Sequence, residues 1–267
     1  MAKIRSKAGI QRRKHVLKIY FWSAFLGLVL IIGSFLYYIY SPDYIIRETH
    51  IRGVTLSNES KIKEITQKYL NIKKLNIIPI NNWLLFPIEE VRLSLQSDPT
   101  IKDAKVEVRA GDLYIEVVER EPSYVWCGEN TDAIKSCYFV DDEGIVFAEA
   151  PIFQGSTYIK VFKHIEGEIL GTKIEDKEFL SALSLTVAEV KPLSLDIRNV
   201  ILGSSTHVTL EDRSGLKLYV DKNTSPQDIL ERLKAFMSSK EVFNSFSDFE
   251  YIDLRSEHKI FLKRKRP

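Results

Sequence analysis

Residues 19 to 40, IYFWSAFLGLVLIIGSFLYYIY, are 22 consecutive positions without a charge. As a helix rising about 1.5 Å per residue they extend roughly 33 Å, enough to cross a hydrocarbon core of about 30 Å. Tyr20 and Trp22 stand at one end and Tyr37, Tyr38 and Tyr40 at the other, where amphipathic rings favour the two water interfaces. A cleaved signal peptide has an apolar region of about 7 to 15 residues and a small-residue cleavage site. This run is longer and ends in tyrosines, so it reads as an uncleaved transmembrane helix over 19–40. The cations that precede it, with no acid before Asp43, argue against a buried core helix.

Orientation follows from the flanks. Lys3, Arg5, Lys7, Arg12, Arg13, Lys14 and Lys18 precede the span, whereas only Arg47 and Arg52 are basic within residues 41–52. The positive-inside rule then places a basic tail, 1–18, in the cytoplasm and the 227 residues after Tyr40 outside it. No second hydrophobic run approaches the length of the first; Trp83 to Phe86 is four residues.

The formal charge of +2 averages unlike parts. Removing the seven N-terminal cations and the four from Lys263 to Arg266 leaves −9 for the body. A folded nucleic-acid-binding face is therefore not expected, because the basic residues lie at the two ends. Hydrophobic and charged contents of 45% and 28% are ordinary for globular protein.

Cys127 and Cys137 bracket a polar stretch between two strand-like runs, Tyr124–Trp126 and Tyr138–Val140. In an oxidising compartment they can close this loop as a disulfide, contributing about 2 to 3 kcal/mol. The other reading is two half-buried thiols. A metal site would need further Cys or clustered His, and the five His are scattered at 15, 50, 164, 207 and 258.

The body holds two patterns. Tyr44 to Arg52 reads as a strand ended by Gly53; Ser57 then caps a helix with Ile62, Ile65 and Tyr69 at helical spacing. A second helix begins near Pro87, with Ile88, Val91 and Leu95 on one face, and Asp98-Pro99 stops it. Ala104, Val106 and Val108, then Leu113, Ile115 and Val117, alternate with polar residues about a turn at Ala110-Gly111-Asp112, which is a hairpin signal. After Pro122 come strands at 124–127, 138–141 and 145–148, a helix near 175–190 with Phe179, Leu183, Val187 and Val190 inward, and strands near 195–202, 206–211 and 215–221. Ser225-Pro226-Gln227-Asp228 opens a last helix with Ile229, Leu233, Phe236 and Met237 inward. Two strands end the pattern, Tyr251–Arg255 and Lys259–Leu262.

A β-α-α-β-β unit directly after an anchor resembles the POTRA domain of the FtsQ/DivIB family of bacterial division proteins. The resemblance is carried by Ile51-Arg52-Gly53-Val54, by Asp98-Pro99-Thr100-Ile101-Lys102-Asp103-Ala104-Lys105-Val106, and by the strand 113–118 running into Glu119-Arg120-Glu121-Pro122. Further on, Val140-Asp141-Asp142-Glu143-Gly144-Ile145-Val146-Phe147 and Tyr251-Ile252-Asp253-Leu254-Arg255 are similar to the family's β domain and terminal motif. The expected class is α+β: a transmembrane helix, a POTRA-like domain over 44–120, a mixed β-sheet domain with two helices over 121–262, and a basic tail, 263–267.

No G-x-S-x-G, H-E-x-x-H, Walker loop or strand-bound G-x-G-x-x-G occurs. Ser60-x-x-Lys63 and Ser256-x-x-Lys259 match the S-x-x-K of penicillin-recognising enzymes but lack the accompanying S-D-N and K-T-G elements. The expectation is a chain that binds rather than catalyses, with no cofactor and no metal.

The family resemblance implies a non-enzymatic division scaffold in the bacterial cytoplasmic membrane, single-pass type II and located at the septum. It implies FtsB-type and FtsL-type coiled-coil partners on the β domain, other division proteins on the POTRA-like domain, and the lipid bilayer around 19–40. By motif match the partner-binding residues are Tyr251, Arg255, Ser256, His258, Ile260 and Leu262. Arg255 either pairs with a partner carboxylate or forms an internal bridge with Asp253 or Glu257. Ile260 and Leu262 either face the partner or face the core. The alternative is a POTRA-bearing membrane protein of polypeptide export or envelope assembly.

Overall fold

The computed structural model describes residues 7–54, 59–74, 78–129, 134, 136–152, 157–203, 206–239, 245–256 and 258–265. Ser57, Glu257 and Arg266, and the cations Lys3 and Arg5, lie outside the described residues. Helix α1 (Lys7–Tyr40) begins well before Ile19. Its segment Val16–Tyr40, 25 residues, is long and apolar enough to cross a membrane, and Ile39 near its end is its one buried residue. The chain divides into two compact units, Met1–Gln96 with Asp103–Val117, and Ser97–Lys102 with Val118–Pro267.

In the first unit, α1 is followed by β1 (Thr49–Arg52), α2 (Glu59–Asn71), β2 (Lys73–Lys74), β3 (Ile78–Pro79) and α3 (Ile88–Gln96), then β4 (Ile101–Arg109) and β5 (Asp112–Glu119). The sheet order is β1-β5-β4, with β1 parallel to β5. The alternating residues Leu113, Ile115 and Val117 are buried, as are Ile62 of α2 and Val91 and Leu95 of α3. Thr66 is buried beside Ile62 because its hydroxyl donates to the Ile62 carbonyl at 2.7 Å. Gly53 has φ 83°, and a Cβ there would stand 2.0 Å from the Val117 carbonyl oxygen. Only glycine lets β1 end against β5 in this way. The first strand is shorter than its β-rich sequence suggests: Pro42–Tyr44 forms a 3-10 turn and Ile45 makes a single bridge to Asn82. The two-residue ribbon of β2 and β3 carries too little alternation to be read from sequence.

The second unit contains β6 (Tyr124–Trp126), β7 (Cys137–Val140), β8 (Val146–Ala150), β9 (Ile159–Phe162), α4 (Lys177–Val190), β10 (Ile197–Leu202), β11 (His207–Asp212), β12 (Lys217–Asp221), α5 (Pro226–Met237), β13 (Phe249–Asp253) and β14 (Phe261–Arg264). They form a nine-stranded mixed sheet in the order β14-β13-β12-β11-β10-β9-β6-β7-β8. Leu180, Leu183 and Val190 of α4 and Ile229, Leu233 and Phe236 of α5 share one core with Val161, Val200, Leu210, Leu218 and Ile252 of the sheet. A smaller cluster, Val125, Cys127, Cys137 and Phe162, contains the Cys127–Cys137 disulfide, with Cα atoms 4.2 Å apart.

Helix α5 starts where its capping signal stands: the Asp228 N–H donates to Ser225 Oγ at 3.1 Å, a cap that stabilises such a helix by about 1 kcal/mol. Helix α4 is turned slightly from its expected face. Leu180 and Thr186 are buried, whereas Phe179 and Val187 pack at the margin. Thr186 tolerates this because its hydroxyl donates to the Ala182 carbonyl at 2.9 Å. The last strand is also displaced, to Phe261–Arg264. Lys263 and Arg264, expected in a basic tail, are strand residues, and Lys263 Nζ contacts Glu250 at 2.8 Å.

Candidate protein-interaction edge

Strand β14 ends the nine-stranded sheet, and β13 is its neighbour in the sheet order. The two are antiparallel, with Tyr251 opposite Lys263, Ile252 opposite Leu262 and Asp253 opposite Phe261. On the other side β13 runs parallel to β12, which places Lys217, Leu218 and Tyr219 beside Tyr251, Ile252 and Asp253. Side chains alternate across a sheet, so two rows result. Leu218, Ile252 and Leu262 face the core. Tyr219, Asp253 and Phe261, together with Lys217, Tyr251 and Lys263, form the opposite, outward face.

This register places the residues singled out by motif. Tyr251 is half-buried and its ring lies 5.4 Å from that of Tyr219. Arg255 follows β13 and is exposed. Its guanidinium is held on Asp253 by two bonds, Nε to Oδ1 at 2.9 Å and an outer nitrogen to Oδ2 at 2.6 Å, and lies 5.4 Å from the Tyr219 ring centre. The Asp253 carboxyl is held below its usual range, chiefly by the Arg255 side-chain hydrogen bond. Arg255 is raised above the ordinary guanidinium value by the same bond. The internal bridge to Asp253 is therefore formed, and it presents a flat cation on an aromatic base.

His258 is exposed in the turn between β13 and β14, and Ser256 is half-buried there. Ile260 and Leu262 are half-buried and pack against the core, which settles the face they occupy as the inner one. The large apolar side chain that faces outward on this strand is Phe261, 54% exposed. Sequence reading passed over Phe261 and Tyr219. The signal was the alternation Leu218-Tyr219-Val220, in which the flanking residues are buried.

Arg232 of α5 is a further residue that sequence reading missed. Its guanidinium donates to the Leu254 carbonyl at 2.6 Å and to the Ser256 carbonyl, and reaches the Lys259 carbonyl at 3.5 Å. One side chain thus braces both ends of the turn that carries Ser256 and His258. Beside it lies a cleft of about 640 Å³ lined by Asp221, Asn223, Thr224, Asp228, Glu231, Arg232 and Arg255. Asp221 is held below the usual carboxylate range, first by the Asn223 backbone N–H and then by Thr206.

The first unit offers a second polar surface, with His50 stacked on Tyr114 at 4.8 Å and Arg109 5.9 Å from the same ring. The two S-x-x-K pairs lie in different settings. Lys63 is paired with Glu59 at 2.7 Å, and Ser256 and Lys259 lie in the braced turn. Among the described residues no group of three or more His, Cys, Asp or Glu is placed to hold a metal.

No protein-family model matches the chain, and no curated protein matches it. What the fold establishes is a helix suited to a single membrane crossing, a small POTRA-like α/β unit and a larger mixed β-sheet unit with surfaces suited to protein–protein contact.

Proposed function

We propose that this chain is a non-enzymatic, single-pass scaffold of a bacterial cell envelope that captures partner proteins by strand addition at β14. The observation that carries the reading is an edge strand bordered by an outward aromatic and cationic face: Tyr219, Tyr251, Phe261 and the braced Arg255. An edge strand offers backbone N–H and C=O groups as a template, and the adjoining side chains select the partner. The positive flank of α1 supports a cytoplasmic N-terminus with the chain after Tyr40 outside, a placement in which the disulfide also persists. At this level the reading is that of a POTRA-bearing membrane protein of envelope assembly or export.

A narrower form rests on the motif resemblance. Tyr251 to Arg255 lies on and just beyond β13, the strand beside the proposed binding edge, and Glu119 to Pro122 leads from the end of β5 towards β6. Both support a division scaffold that holds FtsB-type and FtsL-type coiled-coil partners. The test uses the full chain with an N-terminal fluorescent fusion and a photo-crosslinking residue in place of Phe261. The expected result is crosslinking to a small coiled-coil membrane protein, a band of fluorescence at the septum, and filamentous cells on depletion. Crosslinking with uniform membrane fluorescence and normal septation would retain the envelope scaffold and remove the division role. An edge without any crosslink would refute strand addition.

A further inference from the structure

The loop Asn81–Phe86 joins β3 to α3 and is built onto the end of α1. A helix leaves its last four carbonyls without intrahelical donors. Here the buried Asn82 supplies two of them: Nδ2 donates to the Tyr38 carbonyl at 3.0 Å and to the Ile39 carbonyl at 3.2 Å. Its Oδ1 accepts the Leu84 N–H at 2.9 Å, which fixes the loop's own turn. The Trp83 N–H donates to the Tyr44 carbonyl at 2.8 Å, and Ile46 N–H to Asn81 O at 2.9 Å. Trp83 stacks on Tyr44, and Tyr44 meets Tyr38 edge-on. Phe86 and Ile46 are buried.

What this clamp displays is apolar. Trp83, Leu84 and Leu85 are 37%, 57% and 39% exposed in a row. Their level is set by the helix: Val16–Tyr40 at about 1.5 Å per residue is roughly 37 Å, longer than a hydrocarbon core of about 30 Å, so its last turn emerges among the headgroups. A loop tied to Tyr38 and Ile39 is held at that depth, where a Trp ring is most favourable and leucines reach acyl chains.

We propose that Trp83-Leu84-Leu85 is a second membrane contact, dipping into the headgroup and upper acyl layer beside the span. The occupant of this surface is lipid, because its loop is fixed through Asn82 to the last turn of the span, where Tyr37, Tyr38 and Tyr40 are also exposed. The consequence is that the first unit is oriented on the bilayer by two points, the span and the loop. This rests on the reading of Val16–Tyr40 as a membrane helix.

The experiment uses the full chain in phosphatidylcholine vesicles. The two native cysteines are joined, so an introduced thiol alone takes an environment-sensitive fluorophore. Leu84→Cys reports on the loop and Leu30→Cys on the span. The expected result is that the Leu84→Cys probe loses most of its emission to a headgroup nitroxide lipid and resists aqueous iodide, while the Leu30→Cys probe is quenched by an acyl-chain nitroxide. Free iodide access to Leu84→Cys, with Leu30→Cys quenched by lipid, would overturn the loop contact and leave the span intact. Shielding of Leu84→Cys from both quenchers would mean protein covers it, and would also overturn the proposal. Failure of lipid quenching at both positions would reject the span and the loop together.

Discussion

Arg120 and Asp141 form an ion pair in the second unit, with the carboxylate almost wholly removed from solvent. Asp141 Oδ1 also accepts the N–H groups of Glu143 and Ile145, at 3.0 and 2.8 Å. Arg120 Nε donates to the Pro99 carbonyl at 3.1 Å. One pair therefore organises the tight turn after β7. Arg120→Met leaves a buried carboxylate without its cation, which costs about 3 to 5 kcal/mol. The expected outcome is a markedly lower unfolding temperature of the detergent-solubilised chain. Arg120→Met with Asp141→Asn should recover part of the loss.

Gly144 closes the same turn with φ 85°, and a Cβ there would lie 2.2 Å from the Glu175 carbonyl oxygen. Gly144→Ala is expected to destabilise by more than the about 1 kcal/mol that a left-handed alanine costs elsewhere. Gly215→Ala is the matched reference, since Gly215 also has positive φ but opens onto empty space. Thermal unfolding of the two variants checks the difference; equal losses would remove the steric argument.

Arg232→Lys is expected to loosen the turn between β13 and β14, because a single ammonium cannot reproduce a planar fork spread over Leu254, Ser256 and Lys259 carbonyls. Amide exchange at Arg255, Ser256 and residues 258–260 should quicken while exchange in β6 and β7 is unchanged. Partner capture at β14 should weaken with it.

Arg255→Glu reverses the charge presented over Tyr219 and sets two acids side by side at Asp253. Partner affinity should fall several-fold and the unfolding temperature modestly, since Arg255 itself is exposed but the Asp253 carboxylate left beside the new acid is only 15% exposed. Unchanged affinity would remove Arg255 from the binding surface.

Asp253 gives a pH dependence of known sign. Its folded carboxyl titrates below its unfolded value of about 3.9, so its bond to Arg255 stabilises fully above about pH 4. That contribution is lost as pH falls through the lower folded value. The stability difference between the native chain and Asp253→Asn should therefore be constant from pH 5 to 8 and vanish in stronger acid, as followed by unfolding at each pH.

Signals confined to one element were legible in the sequence. The span follows from its length, α5 from Ser225-Pro226-Asp228, and the β4–β5 hairpin from alternation about Gly111. Features set by partners far along the chain were not. Asn82 looks like an ordinary loop residue until the carbonyls of Tyr38 and Ile39 meet it. Arg232 reads as a solvated helix position until the turn folds over it. Lys263 and Arg264 resemble a tail because an edge strand with one exposed face tolerates charge, and their partners, Glu250 and the Phe249 ring, are on another strand. Among the motif-matched residues, Tyr251 and Arg255 face outward, but alternation alone did not decide between Leu262 and Phe261.

The sheet of the second unit has a kinetic consequence. Hairpins such as β11–β12 close over a few residues, but its parallel joints do not: Tyr124 meets Ile159, Lys160 meets Asn199, and Lys217 meets Tyr251. Each of these encloses more than 30 residues of chain whose closure entropy precedes any reward from pairing. Refolding should be limited by joining preformed hairpins into one sheet. Pulse-labelled hydrogen exchange would then find the β11–β12 and β7–β8 amides protected before those that link β9 to β6 and β10. The binding edge at β14 joins the sheet through β13, whose pairing with β12 is such a joint, so it should mature late.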